Sequence, residues 1–271
     1  MIRPLWWAWF LLFIIMVAGL VVAAKQARPT ARQTRHQLLA ELRPVTLGNC
    51  RLERFGGLND GGYLMCGNLL GGVQSAYSYG IGPADDWGCQ VSGTLRIPVH
   101  QYDCFDPGRP TCPNGRGTFH DECIGPKAEV IDARVFDSFT GQVTRNGDAG
   151  KNLVMKIDVE GAEVPSLMAT SDAMLGRIDQ LAMEIHGTER DFLELVQKLK
   201  RTFYLVHLHF NNQACGVRYA PLPAWAYQVL FVNKRLGILD RSAPPPYLPH
   251  PLDAPDYALG GDCQINGRIE P

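Results

Sequence analysis

The feature that most limits the fold of this chain is an alternation that begins after Gly72. Apolar or β-prone segments at Val73–Tyr79, Ile97–Tyr102, Leu153–Val159, Ile178–Ile185, Phe203–Phe210 and Tyr227–Val232 read as strands. Between them lie helical segments at Asp85–Leu95, around Pro165–Leu175, and at Thr188–Lys200. In the last, Phe192, Leu195, Val196 and Leu199 fall on one side and Thr188 is the expected cap. Strands that alternate with helices imply βαβ units, hence an α/β fold built on a mainly parallel sheet. Upstream, the Asn59-Asp60-Gly61-Gly62 cluster marks a tight turn between two short strands. A disulfide from Cys50 to Cys66 would close that hairpin. Asp106–Pro126, rich in Gly, Pro and Cys, is expected to form an irregular loop around one short strand near Phe119. Arg241–Pro271 is a proline-rich tail, expected to wrap the surface without adding a core element.

The amino-terminal segment sets a second constraint. Leu5 to Ala24 contains no charge, and Gly19 alone falls outside the apolar set. This run is long enough to cross a hydrocarbon core of ~30 Å as a helix. Trp6, Trp7 and Trp9 crowd one end, where indole rings favour the headgroup layer. The expected organisation is a flank (1–4), an anchor (5–24), a polar, partly helical stalk (25–48), the globular domain (49–240) and the tail (241–271). A cleaved signal peptide ending at Val22-Ala23-Ala24 is the competing reading. Lys25, Arg28, Arg32 and Arg35 after the run argue for a cytoplasmic domain by the positive-inside rule. The eight cysteines point the other way, to disulfides in a secretory lumen or other extracytoplasmic space. A net charge of −1 argues against a nucleic-acid binder that relies on a strong basic field.

Open α/β sheets bind ligands outside the carboxyl ends of their strands. The first strand of the alternation ends in Gly80-Ile81-Gly82, a turn that lets backbone approach a ligand. The third glycine of a dinucleotide fingerprint would fall at Asp85, which disfavours a nicotinamide-dependent oxidoreductase. Asp103 stands 21 positions beyond Gly82, where nucleoside-binding sheets place a ribose acceptor; Asp106 is the competitor, better read as an Asp-Pro turn starter. Farther on, three strand ends carry polar residues of one parity: Asp158 with Glu160, Glu184 with His186, and His207 with His209 and Asn211. Three acids and three imidazoles are too costly to bury without partners, so a shared crevice is the expectation. Lys156, on the face of Asp158, is expected to neutralise a neighbouring carboxylate.

The block Met155-Lys156-Ile157-Asp158-Val159-Glu160-Gly161-Ala162-Glu163 resembles the signature of FkbM-type S-adenosylmethionine-dependent methyltransferases. Asp60-Gly61-Gly62-Tyr63, Ser78 to Gly82, Tyr102-Asp103-Cys104, the Glu184-Ile185-His186 strand end and His209 to Asn212 extend the likeness to a membrane-anchored, methyltransferase-like branch. It spans roughly Cys50 to Lys234. The resemblance implies a Rossmann-like, seven-stranded methyltransferase sheet with Tyr227–Val232 inserted antiparallel near Phe203–Phe210. It implies S-adenosylmethionine as cofactor, with Gly80 and Gly82 along its methionine portion, Asp103 at its ribose and Asp158 beside it. The long loop after Asp103 replaces an expected helix.

On this reading the reaction is O-methylation of a hydroxyl on a glycan or related small acceptor. A hydroxyl needs a base or a metal to attack. His186 and His209 are the candidate bases, with Asp158 as a further catalytic residue. Asp158 and Glu184 could hold Mg²⁺ or Mn²⁺. The alternative is a catalytically silent, membrane-tethered module that binds cofactor or glycan.

Overall fold

A computed structural model describes residues 29–106 and 108–269. The expected anchor at Leu5–Ala24 lies outside them, and among the described residues no helix is long and apolar enough to cross a membrane. The chain runs α1 (Ala31–Glu41), the hairpin β1 (Leu52–Gly56) and β2 (Gly62–Cys66), then β3 (Ser75–Tyr79), α2 (Asp86–Leu95) and β4 (Pro98–Tyr102). Four short strands follow: β5 (Arg116–His120), β6 (Cys123–Gly125), β7 (Glu129–Ile131) and β8 (Arg134–Ser138). The second half contains α3 (Phe139–Arg145), β9 (Leu153–Ile157), α4 (Glu163–Ala169), α5 (Asp172–Leu175), β10 (Ile178–His186), α6 (Arg190–Thr202), β11 (Phe203–Phe210) and β12 (Ala226–Asn233).

The central sheet has seven strands in the order β11-β12-β10-β9-β3-β4-β5. Every neighbouring pair is parallel except the two made by β12, which runs antiparallel between β10 and β11. Strand order reverses at the β3–β9 boundary, so the crevice expected at a topological switch opens beyond Tyr79 and Ile157. Both faces of the sheet are covered, which explains why the central strands are apolar on both sides. Tyr77, Met155, Leu181 and Phe231 pack toward α1, α3, α4 and α6. Ala76, Val154, Ala182 and Leu230 pack toward α2 and the β1–β2 hairpin, whose Phe55, Tyr63 and Met65 are buried there.

All eight cysteines are paired, as Cys50–Cys66, Cys89–Cys112, Cys104–Cys123 and Cys215–Cys263. Four disulfides suit an oxidising, extracytoplasmic compartment. The first closes the hairpin. The last ties the tail to the loop between β11 and β12.

Several local expectations change. The segment read as a stalk contains α1, capped by Thr30 in a reciprocal box with Gln33. It docks on the domain, with Leu38 and Leu42 fully buried. Thr188 is not the cap of α6: Glu189 holds that position without a capping side chain. The helix around Pro165–Leu175 is two helices, because Ser171 caps a fresh start at Asp172. The short strand expected near Phe119 is β5, at the sheet edge, but the loop also holds β6, part of a separate small sheet with β7 and β8. The tail does contribute to the core, since Leu248 and Ile269 join its main cluster.

Candidate functional site

The turn after β3 is built around two glycines with different needs. Gly80 has φ +66°, and a Cβ there would stand 1.5 Å from the carbonyl oxygen of Asp158. Any side chain would therefore force β3 and β9 apart at the switch point. Gly82 has φ +55°, and a Cβ there would meet nothing within 4 Å, because it faces open space. The buried Lys156 fixes the same turn from below, donating through Nζ to the carbonyls of Tyr79 (3.2 Å) and Gly80 (2.6 Å). Its Nζ also lies 3.5 Å from Asp158 Oδ2.

This turn forms one wall of a cavity of about 680 Å³. Of the candidate residues, Gly80, Gly82, Asp103, Lys156, Asp158 and Glu160 line it. Asp85, where a third glycine would stand, caps α2 by accepting from Gly88 N and also accepts from Ser78 and Gln101. Its substitution for glycine is thus explained by helix capping.

Asp103, expected as a ribose acceptor, lines the cavity and also braces the turn. Oδ2 accepts from the N–H groups of Ile81 and Gly82, and Oδ1 from those of Phe105 and Asp106. Burial would raise its pKa, but these four donors outweigh it and hold the carboxyl below the usual range. Asp103 braces the glycine turn, and a ribose contact would have to displace one of those donors. Asp106 accepts from Gly108 N, as a turn residue does.

The acid and imidazole groups divide into two neighbourhoods. Asp158, Glu160, Glu184 and His186 come together. His186 Nε2 lies 3.6 Å from Asp158, 3.7 Å from Glu160 and 3.9 Å from Glu184. Glu160 sits in a left-handed conformation (φ +52°), which costs an L-residue about 1–2 kcal/mol and sets it at the cavity edge. Asn211 joins through its amide, which donates to Glu184 Oε1 at 2.7 Å. His186 and Glu184 stand behind Asp158 and do not line the cavity themselves.

His207 and His209 lie elsewhere, under the tail. A bulge between Leu205 and His207 sets their register, pairing His207 with Leu230 and His209 with Gln228. His207 Nε2 bonds Asp253 at 2.8 Å. His209 is buried, its Nε2 has no partner among the described residues, and burial pushes its pKa down. Expected as a candidate base, His209 is separated from the cavity because Gln228 and Glu184 intervene along the sheet.

Residues not singled out as candidates complete the cluster. Glu163, fully buried at the start of α4, meets His186 Nδ1 at 2.5 Å. Burial lowers the affinity of His186 for a proton, but Glu163, Glu184 and Asp158 outweigh it and push the imidazole up to about 9. Glu184 is pushed up to about 8 by burial and by the charge of Asp158. Tyr63 of the hairpin donates its hydroxyl to Asp158 Oδ2 at 2.9 Å. The signal for Glu163 was its position, an acid in the first turn of an apolar helix three residues after Glu160. Tyr63 belongs to the Asp60-Gly61-Gly62-Tyr63 stretch of the resemblance, but nothing local pairs it with Asp158, 95 residues away.

The cluster can therefore do three things. Nδ1 of His186 is anchored, so Nε2 is directed at carboxylates, an arrangement common to catalytic dyads and to metal-ligating histidines. One oxygen or nitrogen from each of Asp158, Glu160 and His186 lies within 4.8 Å of the others, and the same holds for Asp60, Asp158 and Glu184. The carboxylates that line the cavity favour a cationic ligand. No protein-family model matches this chain, and no curated protein matches it.

Proposed function

We propose that the protein is an S-adenosylmethionine-dependent methyltransferase that acts on a hydroxyl of a glycan or related small acceptor. The observation that carries the reading is the pairing of the Gly80-Ile81-Gly82 turn with Asp158 across the sheet's switch point, opening on a cavity of about 680 Å³. The open position at Gly82 leaves backbone accessible to a bound nucleoside. The sheet order, with antiparallel β12 between β10 and β11, agrees with what the FkbM-type resemblance implies. The carboxylates of Asp60, Asp158 and Glu160 on the cavity wall suit a sulfonium.

The cofactor, when bound, supplies an electrophilic methyl group for in-line displacement. Lys156 and Asp103 hold the glycine turn rigid from two sides, which fixes the geometry on which displacement depends. Asp158 is the acid that bridges cavity and cluster, and with Glu184 it would hold a divalent cation that orients acceptor oxygens. His186, directed by Glu163, would take the hydroxyl proton at Nε2 once a cation or substrate lowers its pKa. The membrane anchor at Leu5–Ala24 and the extracytoplasmic location are part of the same proposal.

One observation favours the silent-module alternative. The acids around His186 hold its imidazole above the ordinary range, which favours the protonated ring over a free base at Nε2. Titration calorimetry of the full chain with S-adenosylmethionine, paired with transfer of labelled methyl to glycan acceptors with and without Mn²⁺, separates the readings. Micromolar binding with transfer is the expected result. Binding without transfer under either condition selects the silent module in its cofactor-binding form, and no binding at millimolar cofactor rejects the methyltransferase and leaves only a glycan-binding module.

A further inference from the structure

The strand ends that carry the site and the start of α1 lie at the same end of the molecule. β9 and β10 are parallel, and β12 is antiparallel to both β10 and β11, so β11 also ends on the cavity side. The loop 211–225 that follows β11 stands at that end. α1 is oriented by contacts near its two termini. Its last residue, Glu41, accepts from Lys200 near the end of α6, just before the chain turns back into β11. Six residues earlier, Arg35 donates through Nε to the carbonyl of Ala220 in the loop 211–225, at 3.1 Å. α1 therefore begins, at Thr30, beside the carboxyl ends of the strands, and the buried Leu38 and Leu42 hold it there. From Ala24 to Thr30 there are six peptide steps, which span at most about 22 Å. An anchor at Leu5–Ala24 keeps the start of α1 within that distance of the bilayer. β9, on the cavity, is three strands from β11, about 14 Å across the sheet.

The same end carries the most exposed apolar side chains. Val217 (97%), Leu259 (86%), Leu58 (83%) and Phe105 (74%) exceed every other large apolar residue among those described. Val217 belongs to the loop 211–225, three residues from the carbonyl that Arg35 holds. Leu259 is in the tail, whose exposed Tyr257 exchanges two hydrogen bonds with Asn212 of that loop, and the Cys215–Cys263 disulfide joins the same two segments. Leu58 is in the β1–β2 turn, where Asn59 donates to the carbonyl of Pro255 and the Asp60 N–H to that of Asp256. Loop, tail and turn are thus bonded into one rim, and Phe105 lines the cavity beside it. Single exposed apolar residues are ordinary, but a connected rim of them next to a membrane attachment marks an interaction surface. The exposed Arg32 and Arg218, at the α1 side of the rim, suit lipid phosphates.

We infer that Leu58, Val217, Tyr257 and Leu259 seat the domain on the bilayer that holds its own anchor, with the cavity end of the sheet turned toward the lipid surface. The inference rests on the proposed anchor at Leu5–Ala24 and not on methyl transfer. The anchor supplies the attachment, and the docked α1 with its short connection supplies the orientation.

The test uses the full chain reconstituted in phosphatidylcholine vesicles with no cofactor or acceptor, so a failure of methyl transfer leaves it intact. All eight native cysteines are paired, so the thiol introduced by Val217→Cys, Leu259→Cys or Ile238→Cys is the single site for a fluorescent label. Ile238 is the control: it is 66% exposed and follows β12, which ends on the side of the sheet opposite the cavity. All three positions are exposed, so the substitutions spare the core. Lipids with a nitroxide headgroup should quench the labels at positions 217 and 259 at least fivefold more than the label at 238. Equal quenching at the three positions overturns the inference. Labels at 217 and 259 that are shielded from aqueous iodide but not quenched by the lipid also overturn it, and assign the rim to a second copy of the chain. A chain that alkaline carbonate strips from the vesicles overturns the anchor and the inference with it. A chain that stays, with both rim labels unquenched, overturns the seating alone.

Discussion

Two histidine–acid clusters sit on opposite faces of one sheet, and they resolve the cost of burial in opposite ways. At the cavity, His186 is surrounded by Glu163, Asp158, Glu160 and Glu184. On the other face, His100 meets His120 at 3.1 Å and Asp148 at 3.3 Å, between the rings of Tyr77 and Tyr102. Asp148 already carries Lys151 at 2.5 Å and accepts from Tyr77, so it has less charge to lend. Desolvation then prevails, and both rings are pushed down, His120 to about 4 with the help of His100 and Arg145. His186 is pushed up to about 9. The lesson is that protonation follows the number of carboxylates that face the ring, not burial alone. The acids of one cluster favour a protonated ring, while burial in the other favours neutral rings.

The largest break in this comparison should come from Glu163→Ala. It leaves the buried imidazolium without its nearest counter-charge, and a loss of about 3–5 kcal/mol in denaturant unfolding is expected. A loss below about 1 kcal/mol would mean that His186 is neutral, like His100. Asp148→Asn should cost less, about 1–3 kcal/mol, because it removes an acceptor from Tyr77 and a charge from Lys151 while His100 needs neither to remain neutral.

A sharper comparison comes from proton titration followed by NMR. His186 should titrate near 9 and His120 near 4. The signs for stability differ accordingly. A raised folded-state pKa means that the contribution of His186 is complete below its unfolded value of about 6.5 and is lost as pH rises through about 9. Depressed values mean that His100 and His120 support the fold above about 6.5 and withdraw that support as pH falls, His120 down to about 4. The smallest effect is His120→Phe, which should make the acid-side decline in melting temperature shallower while leaving the alkaline side unchanged. An unaltered acid slope would remove His120 from that decline.

The parts of the fold legible in the sequence were those governed by local periodicity. The strand–helix alternation, the hairpin turn at Asn59 to Gly62, the Cys50–Cys66 bridge and the glycine turn all follow from short-range patterns. The β6–β7–β8 sheet and α3 were not legible, because the strands are three to five residues long, only β6 is buried throughout, and the helix has just seven residues, too few to show a period. The parity of Asp158, Glu160, Glu184 and His186 placed them on one face. Parity did not separate His209 from them, because distance along the sheet depends on strand order, and β12 is inserted between its strand and β10.

The sequence by itself determined the α/β class, the polar strand ends and an uncharged apolar run of transmembrane length, since each depends on neighbours a few residues apart. Only the tertiary structure decided that Tyr63 bonds Asp158, that Asp60 comes close to Asp158 and Glu184, that Glu163 holds His186, and that Asp103 braces its own turn. Those outcomes rest on contacts between segments up to nearly two hundred residues apart, as with Asn59 and Pro255 at a separation of 196. Long-range pairing is set by the order in which a sheet assembles and by which buried charges find partners, and neither leaves a local signature.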